Sequence, residues 1–147
     1  MEQKKMAQSK ELIILTVAGG LAFGLANFAI SRTPIAAEYR AAMSISYYPM
    51  LLAALIGGLL IGFCVSYLLL RFYNQIPTRA PLSKSIILTL IFLVIVTILI
   101  GSPSSFLATG NTLRYFMIGT MFNVIRILAL GIVIGYVYAR LNRRVSE

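Results

Sequence analysis

The stretch that decides the fold is residues 50–70, MLLAALIGGLLIGFCVSYLLL, a run without a single charged side chain. A helix rises about 1.5 Å per residue, so this run is about 30 Å long as a helix, which matches the hydrocarbon core of a bilayer. Pro49 precedes the run and Arg71 follows it, as expected at the two ends of a span. The run therefore predicts a transmembrane helix.

Three further apolar runs, residues 12–31, 85–101 and 115–138, have similar lengths. The run 85–101 is rich in β-branched residues, which favour strands in soluble proteins. An open strand in hydrocarbon would leave its backbone amides unpaired, so we predict a helix there as well. The run 12–31 follows a basic stretch, as in a signal peptide, but it exceeds the usual apolar core of about 7 to 15 residues and we expect it to be retained. The sequence thus predicts an all-α integral membrane protein, a bundle of four transmembrane helices.

The composition agrees with a single membrane domain over residues 1–147. Hydrophobic residues make up 59% of the chain and charged residues 12%, whereas soluble domains are about half apolar and a quarter charged. Four spans of about 20 residues leave no room for a soluble domain. We expect the lipid bilayer as the main partner, and the plasma or inner membrane of the cell as the location.

The net charge of +9 has two interpretations, attraction to nucleic acid or a concentration of Lys and Arg beside the spans. We expect no nucleic-acid binding, because the chain has no basic domain that could dock on a duplex. Histidine is absent and Cys64 is the only cysteine, so haem, zinc and paired-thiol sites lack their ligands. We therefore expect no catalytic group, no metal and no cofactor, and no enzyme activity.

Basic residues are distributed unequally between the two sides of the predicted bundle. Nine of them lie beside the N-terminus, in the connection 71–84 or beside the C-terminus, and three, Arg32, Arg40 and Arg114, lie on the opposite side. The positive-inside rule then predicts that both termini are cytoplasmic, in one fixed orientation. The short connections predict that consecutive spans form two antiparallel hairpins.

The segment between the first two spans is long enough to hold more than a turn. Thr33 is a suitable N-cap and Pro34 a suitable first residue for a helix, and apolar residues after them share one helical face with Tyr39. We predict a short interfacial helix over about residues 34–48. Its tyrosines suit the lipid headgroup layer, an explanation that we prefer to a ligand site. The uncharged segment 102–112 is predicted to be the second outer loop.

Three of the four predicted spans contain the pattern Gly-x-x-x-Gly, in which small residues one turn apart let two helices approach closely. The six glycines are Gly20, Gly24, Gly58, Gly62, Gly131 and Gly135. We favour tight packing within one chain over an interface in a homo-oligomer. The span 85–101 lacks the pattern and is expected to be the most exposed to lipid.

Arg126 is the only charged residue inside the four runs, and it lies about 16 Å from the outer start of its span, near the middle of the hydrocarbon core. Asn123 shares its helical face, and no acidic residue lies in any span. Three interpretations stay open. Backbone carbonyls and the side chains of Asn123 and Asn27 cap the guanidinium, a lipid headgroup or anionic ligand binds it, or an acidic residue of another membrane protein pairs with it. A plainer alternative is an arginine that reaches toward the interface with local water.

These features predict two classes of function. The first is a non-catalytic membrane subunit, or an assembly or interaction factor, bound to its partner through a glycine face or through Arg126. The alternative is a small transporter or channel for an anion or a neutral solute, with Arg126, Asn123 and Asn27 along its path. The absence of acidic residues from the spans argues against a cation pore.

Overall fold

The computed structural model of the protein describes residues 2–100 and 111–143, and all regular structure in these ranges is helical. The helices are α1 (Glu2–Ser31), α2 (Pro34–Ala42), α3 (Tyr47–Phe72), α4 (Pro81–Ile100) and α5 (Thr112–Arg143). Four of them, α1, α3, α4 and α5, are long and apolar enough to cross a membrane. The prediction of an integral membrane protein made of membrane-spanning helices is confirmed at this level.

The spanning helices do not end where the apolar runs end. The first run begins at residue 12, but α1 extends back to Glu2, and α5 continues for one more turn beyond the run 115–138. Helix α4 begins at Pro81, four residues before its run, because a proline without an N–H group is well tolerated in the first turn. An apolar run corresponds to the part of a helix that can lie in hydrocarbon. The helix itself continues beyond that run for as long as its backbone hydrogen bonds continue. Gly101 and nearly all of the predicted outer loop 102–112 lie outside the described residues.

Helix α2 begins as predicted but is shorter than predicted. The Thr33 hydroxyl accepts a hydrogen bond from the Ala36 amide at 3.2 Å, as an N-cap does. The predicted helix over 34–48 ends at Ala42, because Ser44 adopts a left-handed backbone conformation with φ of 53° that cannot continue a helix. Tyr47 and the residue after it belong to the first turn of α3.

The helices pack in the order α3, α1, α5, α4. Helix α1 packs along both α3 and α5, while α4 packs mainly along α5. Buried side chains from α1, α3 and α5 form the main core: Leu15, Phe23, Val65, Leu69, Ile127, Leu130 and Ile134. A smaller cluster of Ile30, Ala36 and Phe122 joins α2 to α1 and α5. Of the four spanning helices, α4 has the smallest share of buried residues in its most apolar part.

Glycines set the close approach of α1 and α3. The four glycines at this contact are Gly20, Gly24, Gly58 and Gly62. A Cβ atom added at Gly62 would lie 3.0 Å from the backbone oxygen of Thr16, and one added at Gly58 would lie 2.8 Å from the Phe23 side chain. Larger residues at these positions would force the two helices apart.

The remaining two glycines of the pattern face α4, the helix that lacks the pattern. A Cβ atom at Gly131 would lie 2.5 Å from the Thr89 hydroxyl, and one at Gly135 would lie 2.8 Å from the Cα of Leu82. This closeness lets the buried Ser85 hydroxyl donate a hydrogen bond to the carbonyl oxygen of Gly131 at 2.7 Å. Helices α4 and α5 are therefore joined by a polar contact as well as by packing.

A buried lysine fixes the connection between α3 and α4. Lys84 is 6% exposed, and its Nζ donates a hydrogen bond to the carbonyl oxygen of Tyr73, just after the end of α3. The same Nζ lies 3.8 Å from the centre of the Tyr73 ring, which packs against the Tyr138 ring of α5 with 4.9 Å between centroids. The charge is thus stabilised by a carbonyl dipole and an aromatic face.

Candidate functional site

A polar cavity lies between α1, α2, α5 and the start of α3, at the end of the bundle that carries α2. Its volume is about 190 Å³. Apolar side chains, Phe122 and Met50 among them, form part of its wall. The polar side chains that line it are Asn27, Ser31, Tyr39, Arg40, Asn123 and Arg126. Among the residues of known position, no acidic side chain lines this cavity.

The three binding residues predicted from the sequence all line this one cavity. Asn27 lies on α1, one turn before the end of that helix, while Asn123 and Arg126 lie on neighbouring turns of α5. Packing of α1 against α5 brings these two walls together. The glycines of the six-residue pattern lie elsewhere, at the contacts of α1 with α3 and of α4 with α5.

The Arg126 guanidinium is only weakly satisfied by its neighbours. Its Nη1 donates to the side-chain oxygen of Asn123 at 3.5 Å, the outer limit of a hydrogen bond, and its centre lies 5.9 Å from the centroid of the Phe122 ring. Its Nε is buried and has no hydrogen-bond partner among the described residues. An arginine at the centre of a membrane costs about 2.5 to 3.5 kcal/mol on insertion scales, and an unpaired N–H group adds to that cost.

Asn27 presents a second unpaired donor. The residue is 1% exposed, and its Nδ2 is buried without a hydrogen-bond partner in the part of the chain that the structure describes. An unpaired buried amide costs about 1 to 3 kcal/mol, so such groups are rare in folded proteins. Asn27 and Arg126 thus line the same cavity from two helices, each with an N–H group that nothing in the described chain accepts.

Tyr39 covers the cavity from α2. Its ring makes edge contacts with Tyr115 and Phe122, with centroids 6.3 and 5.9 Å apart. Its hydroxyl rests against Gly119, where an added Cβ atom would lie 2.9 Å from the hydroxyl oxygen. The glycine therefore makes room for the phenol. From the sequence, Tyr39 is expected in the headgroup layer, and its position over the cavity is not predicted. The signal that the sequence offers is Gly119, which lies two turns from Arg126 on the same helical face.

Arg40 and Ser31 connect the cavity to a wider groove on the surface. Arg40 Nη1 donates to the backbone oxygen of Ser31 at 2.9 Å, and its guanidinium lies 5.0 Å from the centroid of the Tyr47 ring. Both residues line the cavity and also the groove, which has a volume of about 480 Å³ and includes Arg32 and Tyr48. We call this second feature the outer groove. Sequence reasoning counted Arg40 only for orientation and did not expect it beside Arg126.

The arrangement suits binding better than bond-making chemistry. The cavity offers two guanidiniums, two amides, a phenol and the Ser31 hydroxyl, but no histidine, and no carboxylate of the described residues, that could act as a base toward that hydroxyl. No group of three or more His, Cys, Asp or Glu residues that could hold a metal ion occurs within residues 2–100 and 111–143. A salt bridge between Arg114 and Glu38, at 3.0 Å, is exposed and apart from the cavity lining.

No protein-family model matches the chain, and neither does a curated protein or a solved structure.

Proposed function

We propose that this protein is a non-catalytic membrane protein that binds an anionic or polar solute in the cavity of Arg126, Asn123 and Asn27 and carries it across the membrane. One observation supports this most directly: three polar residues of two helices line one cavity, and two of them have buried donors without partners. A bound solute with acceptor atoms would satisfy both donors.

The contacts favour a carrier over an open channel. Beyond the cavity, the interior between α1 and α5 is filled by Leu15, Ile127, Leu130 and Ile134, which are at most 1% exposed. A path through the bundle would require these side chains to separate. Packed side chains thus separate the cavity from the other end of the bundle, as expected for a site that is reached from one side at a time.

The same contacts give less support to the other predicted class, a membrane subunit held by Arg126 or by a glycine face. The guanidinium lines a cavity enclosed by helices of its own chain, which an acidic residue of a partner helix would have to enter. The six glycines of the pattern contact neighbouring helices of the same chain. A subunit role and a homo-oligomer stay predictions.

We further propose that α1 with α3, and α4 with α5, form two antiparallel hairpins with both termini in the cytoplasm. Supporting contacts join Thr16 to Gly62 and Phe23 to Gly58, so residue numbers rise along one helix and fall along the other. The excess of basic residues beside the termini supports the orientation. In this arrangement the cavity opens to the outer side. A topology reporter fused at the C-terminus should be active only in the cytoplasm, and activity on the outer side would contradict the orientation.

Uptake into liposomes tests the proposed function. The purified protein should produce saturable uptake of at least one solute from a panel of small carboxylates, phosphates, halides and sugars. Arg126→Ala should abolish that uptake because it removes the cation of the cavity, while Arg114→Ala should preserve it because Arg114 is an exposed residue that does not line the cavity.

Purification in mild detergent tests the alternative function, a membrane subunit. Absence of uptake for the whole panel, together with a protein that copurifies with the wild-type chain but not with Arg126→Ala, would contradict the carrier proposal. It would favour the membrane subunit instead.

A further inference from the structure

The unpaired groups of the cavity are all of one kind. Arg126 Nε and Asn27 Nδ2 are donors, and no carboxylate of the described residues lines the cavity to supply a negative charge. A cation or an ammonium group would add further donors beside an arginine and would be repelled. The cavity therefore selects a ligand that is negatively charged and has acceptor atoms.

The unpaired atom of the guanidinium indicates the shape of that acceptor. Asn123 accepts from Nη1, whereas Nε is buried and has no acceptor among the described residues. An arginine edge presents two parallel N–H groups, whose spacing matches two oxygens of a carboxylate or a phosphate. A halide is a single acceptor and cannot meet both N–H groups with linear hydrogen bonds.

The wall of the cavity indicates what is attached to the oxyanion. Ile30, Met50 and Phe122 line it beside the polar groups, so a ligand that fills it contacts apolar side chains as well. The cavity volume of about 190 Å³ is larger than a single water molecule needs. That space holds a carboxylate or a phosphate with a short organic substituent.

From these observations we propose that the cavity is a binding site for an organic oxyanion, in which the Nε edge of Arg126 binds two oxygens of a carboxylate or phosphate and the Asn27 amide donates to the same group. This assignment rests on the proposed function and specifies its ligand class. Arg40 adds positive charge where the cavity meets the outer groove and would attract the anion before it reaches Arg126. The oxyanion is either a small soluble acid or the headgroup of a lipid.

Thermal unfolding of the purified protein in an uncharged detergent, followed by circular dichroism, tests the ligand class. Sodium acetate, inorganic phosphate and chloride are compared at equal ionic strength. In the unmodified protein, acetate or phosphate should raise the midpoint of unfolding saturably above that in chloride, because a ligand that binds only the folded state stabilises it. This comparison needs no variant and so does not depend on one that folds.

Two variants then test the assigned contacts. Arg126→Lys keeps the charge but loses the pair of parallel N–H groups. It should weaken the apparent affinity for acetate or phosphate about tenfold or more. Asn27→Leu keeps the branched shape of the side chain but removes its amide donor, and it should also weaken the apparent affinity. Arg114→Lys, on the exposed surface, is the matched control and should leave the affinity unchanged.

The lipid composition of the membrane distinguishes the two possible oxyanions, a soluble acid and a lipid headgroup. The titration is repeated in nanodiscs of phosphatidylcholine and of phosphatidylglycerol. Loss of the acetate effect only with the anionic lipid would identify a lipid headgroup as the competing occupant, while an equal effect in both would identify a soluble acid. Either result supports the oxyanion site.

The oxyanion assignment and the proposed function would be overturned by different results. Equal stabilisation by chloride and acetate, or an Arg126→Lys protein with unchanged affinity for acetate, would overturn the oxyanion assignment and leave solute binding intact. No stabilisation by any of the three anions would overturn the assignment as well, and if uptake were also absent the proposed function would fail with it.

Discussion

Replacing Gly62 with alanine tests the close backbone contact between α1 and α3. An added Cβ atom there would lie 3.0 Å from the backbone oxygen of Thr16 and 3.3 Å from the backbone nitrogen of Gly20. Both neighbours are backbone atoms of α1, so no side-chain rotation can relieve the crowding. The two helices would have to move apart, and contacts along the whole α1 and α3 interface would loosen.

Gly57 provides a matched control on the same helix. A Cβ atom added at Gly57 meets nothing within 4 Å, although the residue lies only five positions before Gly62. Both substitutions change helix propensity by the same amount, about 0.5 to 1 kcal/mol in water, so this contribution cancels when the two variants are compared. The difference in their free energies of unfolding is then the cost of overpacking, about 1 to 3 kcal/mol.

Titration with sodium dodecyl sulfate in mixed micelles, followed by circular dichroism, measures this difference. Gly62→Ala should unfold at a lower mole fraction of the detergent than Gly57→Ala. Gly24→Ala should fall between them, because its nearest neighbour is the end of the Leu55 side chain at 3.3 Å, which can move. Coincident curves for Gly62→Ala and Gly57→Ala would refute the close approach of α1 and α3.

Two further predictions concern polar contacts and use the same titration. Ser85→Ala removes the buried hydrogen bond to the Gly131 carbonyl and should lower the free energy of unfolding by about 1 kcal/mol, whereas Ser83→Ala, at an exposed position, should change it by less than about 0.5. Lys84→Met keeps the apolar part of the side chain but leaves the Tyr73 carbonyl without its donor, and it should cost about 1.5 to 3 kcal/mol. Wild-type stability of either Ser85→Ala or Lys84→Met would show that the contact in question contributes nothing.

The spanning helices could be predicted from the sequence because the bilayer imposes a length and a composition on each of them. Residues 50–70 satisfy both conditions without any knowledge of neighbouring helices. The end of α2 could not be predicted in this way, since it depends on the backbone conformation of Ser44 and on where α3 begins. Nothing in the composition of residues 34–48 marks that change of direction.

The glycine pattern predicted close packing but not the partner of each helix. Gly62 packs against the glycine-containing α1, as a symmetrical motif would suggest, yet Gly131 packs against Thr89 of α4, which has no such pattern. Small residues on one helix are sufficient for close approach when the opposing side chain can fit above them. The pattern therefore identifies a face that another helix contacts and leaves that helix unspecified.

Some of the cavity residues could be predicted from the sequence and others could not. Arg126, Asn123 and Asn27 could be identified from the sequence, because a polar side chain in an apolar run is costly wherever its helix packs. Tyr39 and Arg40 could not, since a tyrosine and an arginine at the end of a span have an ordinary explanation in the headgroup layer. Only the docking of α2 on α1 and α5 brings them to the cavity.

The distribution of unpaired polar groups is the strongest reason to regard this cavity as functional. In the described ranges, buried side-chain atoms without a partner occur at Thr16, Asn27, Ser66, Thr78 and Arg126. The hydroxyls among them are small and lie outside the cavity lining, whereas the amide and the guanidinium share one cavity. Other buried hydroxyls in the bundle are satisfied by the chain itself, as that of Ser85 is by a backbone carbonyl. Because an unpaired charged group is the costliest of these, a ligand that accepts its hydrogen bonds explains why the fold retains it.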